Sequence, residues 1–446
     1  MARALLINPW IYDFKSYDFW IKPFGLLKIA GLLKPHVSGI DFIDCIDRYD
    51  NDYIIAHGSS KYKPDEIMYG KGKYCHEPIP KPGPYKSIKR NYKRFGIPES
   101  VFREKLKKIP VPGLVLITTP ITYMYPAVID ALRIVKEIHG SMPVIIGGIY
   151  PTLCFEHAKK TFPGDYIWKG DINNDFIRLV NNITGAAIPE MSVEQVNELV
   201  PDYSIYPYLK SVAVKFTKGC PFNCTYCSVK QFAAGYYKRK PENVLSELET
   251  YHKRGIKNIT FYDDALLFDR QYITTILKHV ISAEYGFYFH TLNGLNARYI
   301  DSETAELMYN AGFVDVRVSL ETTDPVLQKQ TGGKIDTATF DWAIDNLKKA
   351  GYKNSDIGVY TLVGLPGQSA ESVHEDISYV KSLGLKVKMS LYSPIPGTSE
   401  FDRLNPGLKE QLVSEPLLHN EDVVIYDNKL YSPESHKLSK LYSKSY

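Results

Sequence analysis

Five glycines punctuate the second half of this chain: Gly255, Gly286, Gly312, Gly351 and Gly384 each follow a helix-like segment and precede a strand-like one. That alternation is what a parallel sheet with crossover helices imposes, because each helix must stop before the chain re-enters the sheet. The clearest helix runs from Pro241 through Val244, Leu248 and Tyr251 to its stop at Gly255, and a strand then resumes at Asn258. Adding the strand from Ser211 to Lys218 gives six, near Ala213, Ile259, Tyr288, Val316, Tyr360 and Met389. A closed eight-stranded barrel typically needs about 250 residues, and the stretch 211–401 is shorter. An incomplete (βα)6 barrel is therefore expected, with ligands at the carboxyl ends of its strands.

The first half repeats the pattern more loosely, with strands near Leu6, Phe42, Leu116, Ile145 and Ile167 and helices near Leu26, Leu132, Ala158 and Ile177. This predicts an α/β, doubly wound, Rossmann-like domain over residues 1–190. The turns at Asn8-Pro9, Thr118-Thr119-Pro120, Gly147 to Thr152 and Lys169 to Asp171 would line one edge as a ligand crevice. An insertion at about 48–112 interrupts the domain. Between Lys81 and Lys108 it carries ten Lys or Arg against two Glu, which reads as a solvated surface loop or as a lid over an anionic ligand. Residues 191–210 are expected to be a linker, and 402–446 a polar, lysine-rich C-terminal extension.

The whole chain has 54 Lys and Arg against 50 Asp and Glu, a net charge of +4. That is too small to argue for a nucleic-acid partner or a membrane surface. No apolar run approaches a membrane span. Six cysteines in 446 residues, half of them in one loop, do not form the disulfide framework of a secreted protein. A reducing, cytoplasmic setting is expected.

That loop carries the chemistry. Cys220, Cys224 and Cys227 lie in the run from Phe216 to Ser228, just after the first barrel strand, so one short segment presents three thiolates to one metal centre. A zinc site would take four ligands in pairs, and no second pair exists here. Unligated core cysteines would not crowd three into eight residues. A four-iron, four-sulfur cluster on three protein sulfurs leaves one iron open to chelate a substrate or cofactor.

With Tyr226 as its aromatic, this C-x3-C-x-aromatic-C loop resembles that of the radical S-adenosylmethionine (SAM) superfamily, whose loop follows the first strand of a partial barrel. The resemblance implies that the amino and carboxylate groups of SAM chelate the open iron. It also implies that an electron from the reduced cluster cleaves SAM to methionine and a 5′-deoxyadenosyl radical. A reductase such as flavodoxin or ferredoxin would supply that electron. Asp263 and Asp264, ending the second strand, occupy the place of the family's Gly-Gly-Glu-like contact to the methionine amino group, although both glycines are lacking. Asn293 and Arg298 after the third strand, and Ser319 and Glu321 ending the fourth, fall where the family contacts the ribose and methionine carboxylate. The segment from Gly358 to Gly367, with Gly364 within it, resembles the fifth-strand motif beside the adenine.

The first domain resembles the cobalamin-binding module that precedes the barrel in one branch of that superfamily. Thr118 and Thr119, with Gly147 and Gly148, lie where that module sets a small hydroxyl residue and a glycine pair against the corrin's nucleotide tail. Tyr150 stands where relatives often carry histidine, and His157 reads as a helix-surface residue. The Asp-x-His-x-x-Gly motif that supplies a lower cobalt ligand elsewhere is absent. The resemblance implies a cobalamin-dependent methyltransferase acting on an unactivated carbon of a small-molecule or peptide substrate. Three alternatives are a cobalamin-linked rearrangement or cyclisation enzyme, a methylthiotransferase, and a non-enzymatic iron-sulfur or corrinoid sensor. Methylthiotransferases bring three further cysteines, the first at the end of the opening strand. That position is Asn8 here, and Cys45, Cys75 and Cys154 do not reproduce the others.

Overall fold

Strand β1 (Arg3–Asn8) is buried from Ala4 onward, as a central parallel strand covered on both faces must be. It belongs to a computed structural model that describes residues 2–58 and 68–426, so part of the insertion and the end of the lysine-rich tail lie outside the described residues. The chain divides into two units, Met1–Leu209 with Glu410–Leu418, and Lys210–Lys409 with His419–Tyr446.

The first unit is built on five parallel strands, β1, β2 (Gly39–Asp44), β3 (Leu114–Thr119), β4 (Val144–Gly148) and β5 (Tyr166–Ile167), in the order 5-4-3-1-2. Read from the other edge this is 2-1-3-4-5, the flavodoxin-like version of a doubly wound sheet rather than the dinucleotide-binding order. Helices α1 (Phe24–Leu33), α2 (Tyr125–His139), α3 (Phe155–Thr161) and α4 (Asn174–Thr184) cross between or flank the strands. Leu26 and Ala30 of α1 and Phe176 and Val180 of α4 close over Leu6, Leu116 and Ile145 of the sheet.

Three expectations need correction here. The stretch 191–210 is no free linker: Ser192 and Gln195 form a capping box on a short helix, Val193–Glu198, and Val196 is buried in the sheet's core. The basic insertion is folded, with Lys93–Phe95 pairing antiparallel to both Ile11–Asp13 and His76–Pro78. Much of its charge is also matched: Arg94 pairs with Glu77 and Glu99, Arg103 with Glu99 and Glu137, and Lys105 with Asp50 and Asp52. Within the expected C-terminal extension, Glu410–Leu418 belongs to the first unit, where Glu415 accepts a hydrogen bond from the Tyr125 hydroxyl at 3.0 Å.

The second unit has the six expected strands, β6 (Ser211–Val214), β7 (Asn258–Phe261), β8 (Tyr288–Thr291), β9 (Val316–Glu321), β10 (Ile357–Val363) and β11 (Lys386–Leu391). All pair in parallel, as a β6-β7-β8 sheet and a β9-β10-β11 sheet joined by a bridge between Phe289 and Phe313. Between them run α5 (Pro241–Lys253), α6 (Arg270–Ser282), α7 (Ser302–Ala311), α8 (Thr337–Ala350) and α9 (Ala370–Ser382). Side chains of Asp269, Asp301, Asp336 and Ser369 cap the last four. Left-handed Gly312 and Gly351 end α7 and α8, so each crossover has a sharp start and stop. The carboxyl ends of the strands face one side, where the cysteine loop begins.

Candidate active site

Two adjacent aspartates hold the cysteine loop against the barrel. Asp263, at the end of β7, is buried and accepts hydrogen bonds from Phe216 N at 3.0 Å, Thr217 N at 2.6 Å and Thr217 Oγ1 at 2.7 Å. Burial pushes its carboxyl up to about 6, and the bonds from Thr217 oppose that rise. Asp264 accepts from Gly219 N at 3.1 Å, one residue before Cys220, and from Lys215 Nζ at 3.4 Å. The pair thus acts on the loop's backbone, which accounts for acidic residues here without flanking glycines.

A second support comes from the turn at Thr331 to Lys334. Thr225 N donates to Thr331 O at 3.2 Å, and a Cβ at Gly332 would lie 2.9 Å from the Asn223 carbonyl oxygen, so this turn lies directly against the loop. It delivers Lys334 to the cavity beside the cysteines, where Lys334 Nζ meets Glu321 Oε1 at 3.2 Å. Glu321 ends β9 after a register shift and has φ of 69°, a strained conformation for glutamate that the bulge imposes. Burial works against the Lys334 ammonium, yet Glu321 and the neighbouring thiols raise its pKa above the ordinary lysine value.

Cys220, Cys224 and Cys227 line one cavity of about 760 Å³, counting space open to solvent. Tyr226, Asp263, Asp264, Asn293, Glu321 and Lys334 share that lining. Burial raises the three thiols, Cys224 to about 11, so they hold their protons at neutral pH until a metal displaces them. Burial beside Cys224 pushes the Tyr226 hydroxyl up, and Asn293 Nδ2 donates to Asp263 O at 2.8 Å. Among the described residues no three His, Cys, Asp or Glu side chains converge on one metal ion. Three thiols on one cavity wall suit the separate irons of a cube. The loop fits a cluster.

Other expected contacts lie off this wall. Arg298 is exposed and donates to Gly333 O at 3.2 Å, bracing the turn that carries Lys334. Ser319 is buried behind Gly294, whose missing Cβ leaves room for its hydroxyl. Gly364, with φ of 90°, sits in the turn after β10, its N–H donated to Gln368 Oε1 at 2.9 Å. Lys334 was missed in the sequence because only the folded turn brings it to the thiols; the Gly332-Gly333 pair was its one local signal.

In the first unit a second cavity, of about 550 Å³ counting open space, lies at the carboxyl ends of β3 and β4. Thr118, Gly147 and Gly148 line it, with Gly25, Trp168 and Asp171 opposite the turns. Thr152 Oγ1 donates to Gly148 O at 2.7 Å and accepts from Gly170 N at 3.1 Å, fixing two of its walls. Thr119 is fully buried and ties β3 to β4 through Gly147 O at 2.9 Å rather than lining the space. Tyr150 is also off the wall: it is fully buried, its Oη 2.6 Å from His157 Nδ1 and its ring stacked on Tyr125. His157 is accordingly a half-buried partner of Tyr150, and burial lowers its pKa. A narrow, largely apolar slot with bare backbone at Gly147 fits the base-bearing tail of a corrinoid.

Residues 214–380 match the family model of the Radical SAM superfamily. The chain is 25% identical over 351 residues to an anaerobic magnesium-protoporphyrin IX monomethyl ester cyclase of Rubrivivax gelatinosus, covering 69% of this chain and 60% of that protein. It is 26% identical over 318 residues to an uncharacterized methyltransferase of Pyrococcus horikoshii, covering 64% of this chain and 68% of the relative. The chain thus spans about three fifths of the cyclase's length. Its fold is that of the radical S-adenosylmethionine methyltransferase TsrM of Kitasatospora setae, solved with cobalamin and a [4Fe-4S] cluster, at a TM-score of 0.68 and 15% identity over 99% of this chain and 90% of TsrM. No helix among the described residues is long and apolar enough to cross a membrane. Residues 214–380 form a radical SAM domain, and the doubly wound N-terminal unit that precedes it shares the fold seen in TsrM.

Proposed function

We propose that the chain is a radical SAM enzyme that cleaves SAM reductively at a four-iron cluster held by Cys220, Cys224 and Cys227, and that it is a cobalamin-dependent methyltransferase acting on an unactivated carbon. The observation that carries this reading is one cavity lined jointly by three cysteines, an ion-paired Lys334–Glu321 and the amide of Asn293. A cluster there supplies one electron and an open iron. Lys334 would take the methionine carboxylate as a charge-assisted partner. Glu321 and Asn293 would orient the amino group and ribose, while Asp263 and Asp264 keep the loop in place. Tyr226 would flank the cluster, since it shares the cavity lining with Cys224. In the first unit, Thr118, Gly147 and Gly148 would hold the corrinoid tail. The TsrM fold and the methyltransferase relative support this choice.

Methylation predicts two products. One SAM recharges the corrinoid and another makes the radical, so S-adenosylhomocysteine and 5′-deoxyadenosine should both rise in proportion to methylated product. Quantifying the two during turnover checks this; 5′-deoxyadenosine with product but no S-adenosylhomocysteine would favour cyclisation instead, the reading that the cyclase relative supports. Either reading needs an electron donor of the flavodoxin or ferredoxin kind.

No histidine lines the N-terminal cavity among the described residues. The cob(II)alamin form bound to this protein is therefore expected to show no nitrogen coupling from a protein ligand in its electron paramagnetic resonance spectrum. A resolved protein nitrogen coupling would refute that arrangement.

A further inference from the structure

We propose that Asp376, on α9 and outside the cavity, is a positioning residue that sets Glu321 for SAM by holding the strained turn at the end of β9; as a statement about SAM it rests on the radical-enzyme reading above. Thr322 N donates to Leu320 O at 2.9 Å, closing a three-residue γ-turn with Glu321 at its centre and φ of 69°. A γ-turn with positive φ is rare and strained for any residue with a side chain. It persists only where its surroundings hold it.

The hold comes from one buried carboxylate. Asp376 is 1% exposed, and its Oδ1 accepts from Thr322 Oγ1 at 3.2 Å, Thr323 N at 2.5 Å and Thr323 Oγ1 at 2.6 Å, all on the two residues that follow Glu321. Gln328 Nε2 adds a bond to Thr322 O at 2.8 Å. The second oxygen of Asp376 accepts from Gln368 Nε2 at 3.4 Å, and Gln368 Oε1 accepts from Gly364 N at 2.9 Å and Leu365 N at 3.2 Å. Leu365 packs with Leu362 and with Tyr226 of the cysteine loop. One carboxylate thus ties the strand end that carries Glu321 to the turn behind Tyr226.

Asp376, Thr322 and Thr323 do not line the cavity, whereas Glu321 does, paired there with Lys334. Burying a carboxylate among neutral donors costs solvation, and the packing of α9 on the sheet is already served by Val373 and Ile377. The network also requires an acid rather than an amide. In Asp376→Asn, an oxygen kept on Thr323 turns the new amide nitrogen on Gln368 Nε2, and Gln368 cannot reverse without abandoning Gly364 and Leu365.

The test uses full-length protein carrying its oxidised cluster, with iron and circular dichroism recorded for every variant. Asp376→Asn should weaken SAM binding about tenfold in equilibrium dialysis, because the turn relaxes and leaves Glu321 in place in about one molecule in ten. Thr323→Val removes one donor at a half-buried position and should cost about fivefold, the scale of one hydrogen bond. It replaces Asp376→Asn in every comparison if the latter does not fold. A merely structural role would lower affinity whatever stands at 321. In the Glu321→Gln background, by contrast, either substitution should change SAM affinity by less than about twofold. Hydrogen exchange reads the turn without SAM: the Thr322 and Thr323 amides should exchange about tenfold faster in Asp376→Asn, and faster in Thr323→Val, than in the wild type. The proposal is overturned if exchange is unchanged, if a folded variant binds SAM as the wild type does, or if the loss is as large beside Glu321→Gln. Wild-type protein that holds its cluster and binds no SAM would overturn the radical-enzyme reading, while exchange still decides whether Asp376 holds the turn.

Discussion

Cys224→Ala is expected to reduce the iron of anaerobically reconstituted protein from about four atoms per chain to below about one, because two thiolates cannot hold a four-iron cube as three do. Cys224 is the middle of the three cysteines, and the Gly332 turn lies against its backbone. The loss should be confined to the loop, since Asp263 and Asp264 anchor the preceding residues independently of the thiol. Cys75→Ala serves as the control. Cys75 is in the first unit and lines neither cavity, so its removal should leave iron and the visible absorption of the cluster unchanged. Iron retained in Cys224→Ala, or lost equally in Cys75→Ala, would contradict the ligand assignment.

Gly147→Val should abolish most corrinoid retention. A Cβ at Gly147 meets no atom within 4 Å, so the valine side chain would project into the open space of the N-terminal cavity without disturbing the sheet. Intrusion of a branched side chain into a fitted site costs about 1–3 kcal/mol, which is a loss of about tenfold or more in affinity for cobalamin. Its neighbour is a poor probe. Gly148 has φ of 104°, and a Cβ there would lie 2.5 Å from the Thr119 carbonyl oxygen, so Gly148→Val would break the β3–β4 edge before it could report on a ligand. Equilibrium dialysis with cobalamin, alongside thermal unfolding, separates the two: Gly147→Val should lose the ligand and keep its stability, while Gly148→Val should lose stability as well.

The strands of both domains were legible because helix–glycine–strand alternation is local, written within about 30 residues at a time. Sheet order was not. Whether β3 lies beside β1 or beyond β2 is decided by packing across more than 60 residues of insertion, and the 2-1-3-4-5 order emerged only from the pairing of Ala4 to Ile7 with Leu114 to Ile117. The stretch 191–210 was misread for a related reason: its polar and proline residues resemble a linker, and only the folded unit brings Val196 into the core beneath α1.

In the barrel site, the cysteines stood out because of their spacing, and the structure sets all three on one cavity wall. Asp263 and Asp264 were singled out by position, but their hydrogen bonds to the loop's backbone were not legible, since a carboxylate that grips backbone N–H groups cannot be told in sequence from one that awaits a ligand. Arg298, Ser319 and Gly364 were placed at strand ends correctly in chain order, yet a strand end has two faces and a turn has an inside and an outside. Lys334 was invisible for the opposite reason: it lies 13 residues beyond Glu321 in the chain, and only the contact of Gly332 with the cysteine loop closes that distance.

The central claim is that the cysteine loop, with Lys334 and Glu321, forms a site for reductive cleavage of SAM. Its most direct test is anaerobic incubation of reconstituted protein with SAM and dithionite, with nucleosides quantified by mass spectrometry. The account predicts 5′-deoxyadenosine from the wild type and none above background from Cys224→Ala. A wild-type protein that carries the full cluster and forms no 5′-deoxyadenosine would contradict it.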